Sequence, residues 1–270
     1  MKKTSIRNFI VRSIAPVSSV LYREKPRIRI LALHDISPDD RELFLKKMRW
    51  LARFSNVVSL RDAFERKGLD NALPNIAITF DDGFKCFSSL IAPALRELSL
   101  PATFFVPTGA VGISGQKADE FALKNLGRHG KFEFMTEADC IALSNDPLFE
   151  IGGHTQSHID LGRKLSPEEL FREIAEDKTT LEKMMGKPVV FLAYPFGGVK
   201  NVCDGSVRAI RDAGYKAAFT ILPSFWKQGD DPFRIGRDSL SIHESDKLWY
   251  AWLSGGYDRA SRLKKYLKRF

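Results

Sequence analysis

The sequence predicts an α/β protein, a single barrel of parallel strands wrapped by helices. Three observations point there. Short apolar runs alternate with helical patterns from Arg27 onward. With 270 residues and 44% hydrophobic content, the chain can bury one large core. Two motifs rich in acids and histidines each follow directly on an apolar run, the place where barrel enzymes carry their chemistry.

In chain order, residues 1–27 form a basic N-terminal segment and 28–245 the barrel. IRILALH (28–34) reads as a buried strand, followed by an amphipathic stretch bearing Leu43, Met48, Leu51 and Phe54. NIAITF (75–80), bounded by Pro74 and Gly83, is a second strand, 87–98 a helix, and ATFFV (102–106) a third strand. The stretch from Gly109 to Gly130 has weak periodicity and is expected to be an inserted loop rimming a substrate groove. FEIGG (149–153) is a fourth strand. The clearest helix is Ser166–Met185: Ser166 caps it, Pro167 opens its first turn, Glu169 completes a capping box and Gly186 ends it. VVFLAYP (189–195), YKAAFT (215–220) and a segment around Phe233–Ile235 complete the strands, and 246–270 form a basic C-terminal segment.

The formal charge of +9 is concentrated at the ends. Residues 1–29 carry eight Lys/Arg against one Glu, residues 258–270 six against one Asp, and the rest is slightly acidic. No aromatic-interleaved basic stripe marks the body, so nucleic acid is not an expected partner. Stripes at Ile6, Phe9, Ile10 and Ile14, and at Leu263, Tyr266, Leu267 and Phe270, sit amid basic residues. They are expected to give peripheral contact with an anionic membrane face. Cys86, Cys140 and Cys203 have no CxxC spacing, and the basic N-terminus is interrupted by Arg12 and Pro16 without an A-x-A site. The expected location is therefore the cytoplasm, where thiols stay reduced, at the inner membrane face where the basic ends make contact.

TFDDG (79–83) puts two adjacent carboxylates at the end of a buried strand. Burial and like charge both disfavour their ionisation, so the pair needs a cation or strong hydrogen bonds. His154-Thr-Gln-Ser-His158 follows the FEIGG strand, and an i, i+4 spacing on a helical turn would put both imidazoles on one side. Two imidazoles and one carboxylate suit a Zn²⁺ with open positions, Co²⁺ or Ni²⁺ being the alternatives. The other carboxylate, off the metal, is placed to take a proton from water. A Cys-rich structural zinc site is excluded by ligand type.

TFDDG, PATFFV (101–106), EIGGHTQSHIDL (150–161) and AYPFG (193–197) together resemble the polysaccharide deacetylase (NodB-homology) family, in its AYPFG-containing subgroup, over roughly 28–243. The resemblance implies a distorted (β/α) barrel that hydrolyses N-acetyl groups of amino sugars. It implies Asp81 as base and Asp82, His154 and His158 as metal ligands. Many members pair the base with an Arg absent from LAYPFGG; FRIGRD (233–238) offers Arg237 or Arg234 instead. Tyr194, Pro195 and Phe196 are expected to line the sugar groove. Trp226, Trp249 and Trp252 offer similar faces with no sequence signal placing them there.

The family's general acid is a histidine in an LxH motif on a late strand. The late candidate, His243, sits in a polar stretch, whereas Leu-Ala-Leu-His34-Asp35 ends the first strand. First and last strands of a closed barrel are neighbours, so His34 is the expected acid, in a circularly permuted motif order. The expected function is removal of N-acetyl from an amino sugar in a polysaccharide, oligosaccharide or lipid-linked glycan. Rivals are cleavage of an O-acetyl ester, formamide or cyclic amide, and an inactive carbohydrate-binding member.

Overall fold

Six consecutive buried residues form each of two strands, β1 (Ile28–Leu33) and β3 (Asn75–Phe80), the mark of parallel strands covered on both faces. The computed structural model describes residues 28–253. The remaining strands are β2 (Asn56–Val57), β4 (Ala102–Val106), β5 (Phe149–Gly153), β6 (Phe191–Ala193), β7 (Ala217–Phe219) and β8 (Asp238–Ser239). They form one sheet of order β7-β6-β5-β4-β3-β1-β8, with β2 also paired to β3 and every strand pair parallel.

The sheet curls into a distorted (β/α) barrel. Ile235 is bridged to Phe219 of β7, and three residues later β8 pairs with β1, so one short segment ties both ends of the sheet together. The strand expected at Phe233–Ile235 is thus only a bridge, and the paired strand lies at Asp238–Ser239. Side chains alternate across the wall. Ile28, Ile30, Ala77, Phe105, Phe191, Ala217 and Phe219 fill the interior. Leu31, Ile76, Ile78, Phe104, Ile151 and Leu192 face the helices.

Those helices are α1 (Arg41–Phe54), α2 (Leu60–Glu65), α3 (Ala92–Glu97), α4 (Gln116–Phe121), α5 (Glu137–Asn145), α6 (167–185), α7 (Asp204–Asp212) and α8 (Asp246–Leu253). α6 starts at Ser166, whose hydroxyl accepts from the Glu169 amide while Glu169 bonds back to the Ser166 amide. It stops at Gly186, whose φ of +65° a side chain would resist. Its middle turns, Phe171–Glu176, are wider than an α-helix.

Two stretches are more ordered than expected. The segment 109–130, expected as a loop, contains α4 and a following wide turn, Ala122–Leu126. Residues 246–253, assigned to the basic C-terminal segment, form α8, whose Trp249 is buried and donates to the Ser241 carbonyl at 3.1 Å. Asp246 pairs with Lys47 of α1. The amphipathic stripes at 6–14 and 263–270 lie outside the described residues. Among the described residues, no helix is long and apolar enough to cross a membrane.

Candidate metal centre and active site

β1, β3, β5 and β6 deliver their C-terminal ends to one rim of the barrel. Residues just beyond them line a cavity of about 130 Å³: His34, Asp81, Asp82, His154, His158, Tyr194 and Phe196, with Leu126, Arg128 and Ile221. A larger depression of about 400 Å³, with Arg61, Thr103 and Glu150 in its lining, opens at the opposite, N-terminal ends of β4 and β5. It holds no comparable cluster, so size is a poor guide to the site in this molecule.

Asp81 and Asp82 are both buried, yet each has found a different partner. The Asp81 amide donates to the Leu33 carbonyl at 3.0 Å, extending the β1–β3 ladder by one rung. Its carboxylate is held by both terminal nitrogens of Arg237, at 2.7 and 2.6 Å. Arg237 is wholly buried and also donates to the Thr79 hydroxyl (2.9 Å) and the Thr220 carbonyl (3.2 Å). Burial pushes the Asp81 carboxyl up; Arg237, then His154 and His34, overcome this and hold it below the ordinary value. Asp81 therefore stays ionised at neutral pH.

Asp82 leaves the strand with φ +82°, and Gly83 follows with φ +72° at a place where a Cβ would press on Val106 and Pro107. One Asp82 oxygen lies 3.5 Å from His154 Nε2 and 3.4 Å from His158 Nε2. A tetrahedral Zn²⁺ with bonds of about 2.0–2.1 Å has ligand–ligand edges of about 3.3–3.4 Å, close to both Asp82 edges, and all three atoms lie within 4.8 Å of one another, as a group that could hold one ion. The tautomers agree. His154 Nδ1 lies 2.8 Å from the Ala193 carbonyl and His158 Nδ1 2.9 Å from the Asn125 carbonyl. A carbonyl only accepts, so each Nδ1 carries the proton and each Nε2 turns a lone pair toward Asp82. Two lone pairs converging on a carboxylate is an arrangement that a cation satisfies. Burial raises the Asp82 carboxyl. With both imidazoles protonated and no cation present, their N–H donation to Asp82 outweighs burial and holds its carboxyl far below the ordinary range; with Nε2 bare, a cation takes over that role.

The expected helical turn at HTQSH is not formed. Residues 154–158 are a loop, with Thr155 at φ +61° and His158 at φ +57°. It is this left-handed turning, not helical i, i+4 geometry, that brings the imidazoles together, ring centroids 4.8 Å apart. Phe196 also has φ +61°, so four of the six non-glycine residues with positive φ among the described residues lie at this site. Such conformations cost on the order of 1–3 kcal/mol each and persist only where the surroundings enforce them.

The sequence left two pairs of candidates open, and their placements differ sharply. Arg237 meets Asp81, whereas Arg234 pairs with Asp204 and Asp231 at the surface. His34 lines the cavity, whereas the His243 side chain is 62% exposed beside Asp40. Of the three expected groove residues, Tyr194 is buried with its hydroxyl donating to the Phe233 carbonyl, and Pro195 is buried. Phe196 alone is open to solvent, its ring against His158. Trp226, Trp249 and Trp252 are buried and do not line the cavity.

Arg128, Asn125 and Glu173 went unnoticed in the sequence. Arg128 reaches the cavity from the 109–130 segment and pairs with Asp35, the neighbour of His34. No sequence signal marks Asn125. Glu173 carried one, as an acid beside Ile174 in the apolar stripe of α6, where Leu181 is also buried.

The sequence model of one protein family, polysaccharide deacetylase, matches residues 70–218, more than half of the chain. The chain belongs to the polysaccharide deacetylase family. The matched stretch contains Asp81, Asp82, His154 and His158, while His34 and Arg237 fall outside it. Among relatives, YxkH of Bacillus subtilis is 22% identical over 248 residues, 87% of this chain and 80% of YxkH. The poly-β-1,6-N-acetyl-D-glucosamine N-deacetylase of Staphylococcus aureus is 23% identical over 182 residues, 66% of this chain and 58% of that enzyme. The fold is shared with IcaB from Ammonifex degensii, at TM-score 0.66, 21% identity and coverage of 86% and 98%. It is shared as well with the Streptococcus pyogenes deacetylase PplD, solved in complex with acetate, at TM-score 0.63, 20% identity and coverage of 84% and 98%.

Proposed function

We propose that this family member is a metal-dependent hydrolase that removes N-acetyl groups from an amino sugar in a glycan. The observation that carries the reading is the convergence of two Nε2 lone pairs and the Asp82 carboxylate beside a second carboxylate held ionised by Arg237. Asp82, His154 and His158 would hold a divalent ion, zinc before cobalt or nickel, which when bound would supply Lewis acidity to the amide carbonyl and to water.

The chain's own residues do the rest. Asp81, ionised and fixed at both oxygens, takes the proton of the attacking water. His34, at the end of the strand beside it, gives a proton to the departing amine nitrogen. Free amine and acetate are the products. Leu126, Tyr194 and Ile221 narrow the cavity to a volume that suits a short acyl group. The exposed Phe196 ring offers a face for the sugar.

The test is acetate and amine release from N-acetylated oligosaccharides, with O-acetylated, formylated and cyclic-amide substrates in parallel. Chelation should abolish release, and Zn²⁺ or Co²⁺ should restore it. Asp82→Ala, His154→Ala and His158→Ala should each lose the ion. Release confined to the ester, formyl or cyclic-amide substrate would transfer the same machinery to that bond. Activity that survives chelation would overturn the metal reading.

A further inference from the structure

We infer that Glu173 is a positioning residue for the metal centre, acting through Ser157 on His158; this rests on the metal reading above. Glu173 lies on α6, outside the cavity, and is 4% exposed. Among the described residues no Lys or Arg pairs with it. Its carboxylate turns to the loop instead, accepting from the Ser157 amide at 2.8 Å and the Ser157 hydroxyl at 2.7 Å. Its backbone carbonyl accepts from the Gln156 amide at 3.1 Å. A buried carboxylate is costly unless hydrogen-bonded, and here two of its bonds go to the residue preceding a ligand.

The loop needs that grip. Thr155 and His158 both hold left-handed conformations that relax unless the surroundings enforce them. Enforcement comes from two sides. Opposite Glu173, the Asn125 side chain donates to the Ser157 carbonyl at 2.6 Å, and the Asn125 carbonyl accepts from His158 Nδ1 at 2.9 Å. The Ser157 peptide is clamped between α6 and the segment after α4, and His158 is the next residue. Without the Glu173 half, the loop is free to leave the left-handed turn and carry Nε2 away from Asp82. The role is distinct from that of Asp177 one turn later, whose bonds go to Thr108 on the β4 side.

The experiment measures zinc affinity of the full chain by chelator competition, with thermal melting alongside, for the wild type, Asp82→Ala, Glu173→Ala, Glu173→Gln, Ser157→Ala and Leu181→Ala. Asp82→Ala should abolish binding. Glu173→Ala should weaken it about 10- to 100-fold, the range for lost outer partners of a ligand, and Glu173→Gln less, since its carbonyl still accepts one bond. Leu181→Ala, an apolar truncation on the same helix, should lower the melting temperature and leave affinity unchanged. If Glu173→Ala does not fold, Glu173→Gln and Ser157→Ala decide, each expected several-fold weaker than wild type. Affinity within twofold of wild type in the folded Glu173 variants, with Asp82→Ala empty, would reduce Glu173 to a packing acid. Equal zinc binding by wild type and Asp82→Ala would instead remove the metal centre itself, and this role with it.

Discussion

Arg237 grips Asp81 at both carboxylate oxygens, joining two residues 156 positions apart in a pair whose side chains are 0% and 4% exposed. Paired and hydrogen-bonded on every side, the two charges tolerate burial that either alone would not. The pairing also sets how Asp81 titrates.

Replacing Arg237 by Met strands a buried carboxylate. Folding stability should fall by about 3–5 kcal/mol, read from urea denaturation at pH 7. Asp81 sits below its ordinary value in the native protein, so its contribution is present above the ordinary carboxylate range and lost as pH falls through the native value. The variant should lose that acid-side slope. Its kcat/KM profile should show an acid limb displaced to higher pH, because burial then works against fewer opposing charges. An unmoved limb would argue that Asp81 is not the base.

His34→Ala should lower kcat by about 10²–10⁴-fold with bound zinc unchanged, the loss expected for a positioned acid. His243→Ala, altering an exposed side chain near Asp40, should stay within twofold. The opposite pattern would restore the usual motif order.

Asp177 gives a pH dependence of opposite sign. Complete burial pushes its carboxyl up to about 7, from 3.8. The native state therefore binds a proton that the unfolded chain releases, so stability is full below about pH 4 and drains away as pH rises toward 7. Asp177→Asn mimics the neutral acid. The difference in urea midpoint between variant and wild type should move in the variant's favour from pH 4 to pH 8; a constant difference would show the acid ionised throughout.

Phe196→Ala removes the one groove aromatic open to solvent. KM for an oligosaccharide should rise several-fold, and kcat should change less, since the ring touches His158 but no reacting group. A fall in kcat alone would make the ring a support for His158 and not a sugar face.

The Asp82, His154 and His158 cluster, and Asp81 beside it, were legible because each motif is contiguous and each follows an apolar run. Periodicity and spacing could not separate Arg234 from Arg237, three residues apart in FRIGRD. The choice depends on where the chain turns between the Ile235 bridge and β8, which buries one and leaves the other at the surface. Histidine spacing suggested a helix, but a ligand loop can reach the same convergence by left-handed turns that Thr155 and His158 do not advertise. Glu173 was passed over although it adjoins Ile174 in the apolar stripe, because so many acids of that helix are solvated that one more draws no notice until the fold closes over it. Tyr194 does line the cavity as expected, but its hydroxyl is turned away and spent on the Phe233 carbonyl, a bond that no sequence signal marks.

The tie that one short segment makes between β7 and β1 sets a time order on competence. His34 comes from the first strand, Asp81 from the third, and Arg237 from the last link placed before β8 completes the ring. Contacts so distant in sequence form late, after the loops between them have been closed. Asp82, His154 and His158 are all in place in the sequence by residue 158, whereas Arg237, the partner of Asp81, comes 79 residues later. Closing the barrel and completing the Asp81 ion pair are therefore one event in the geometry of the fold.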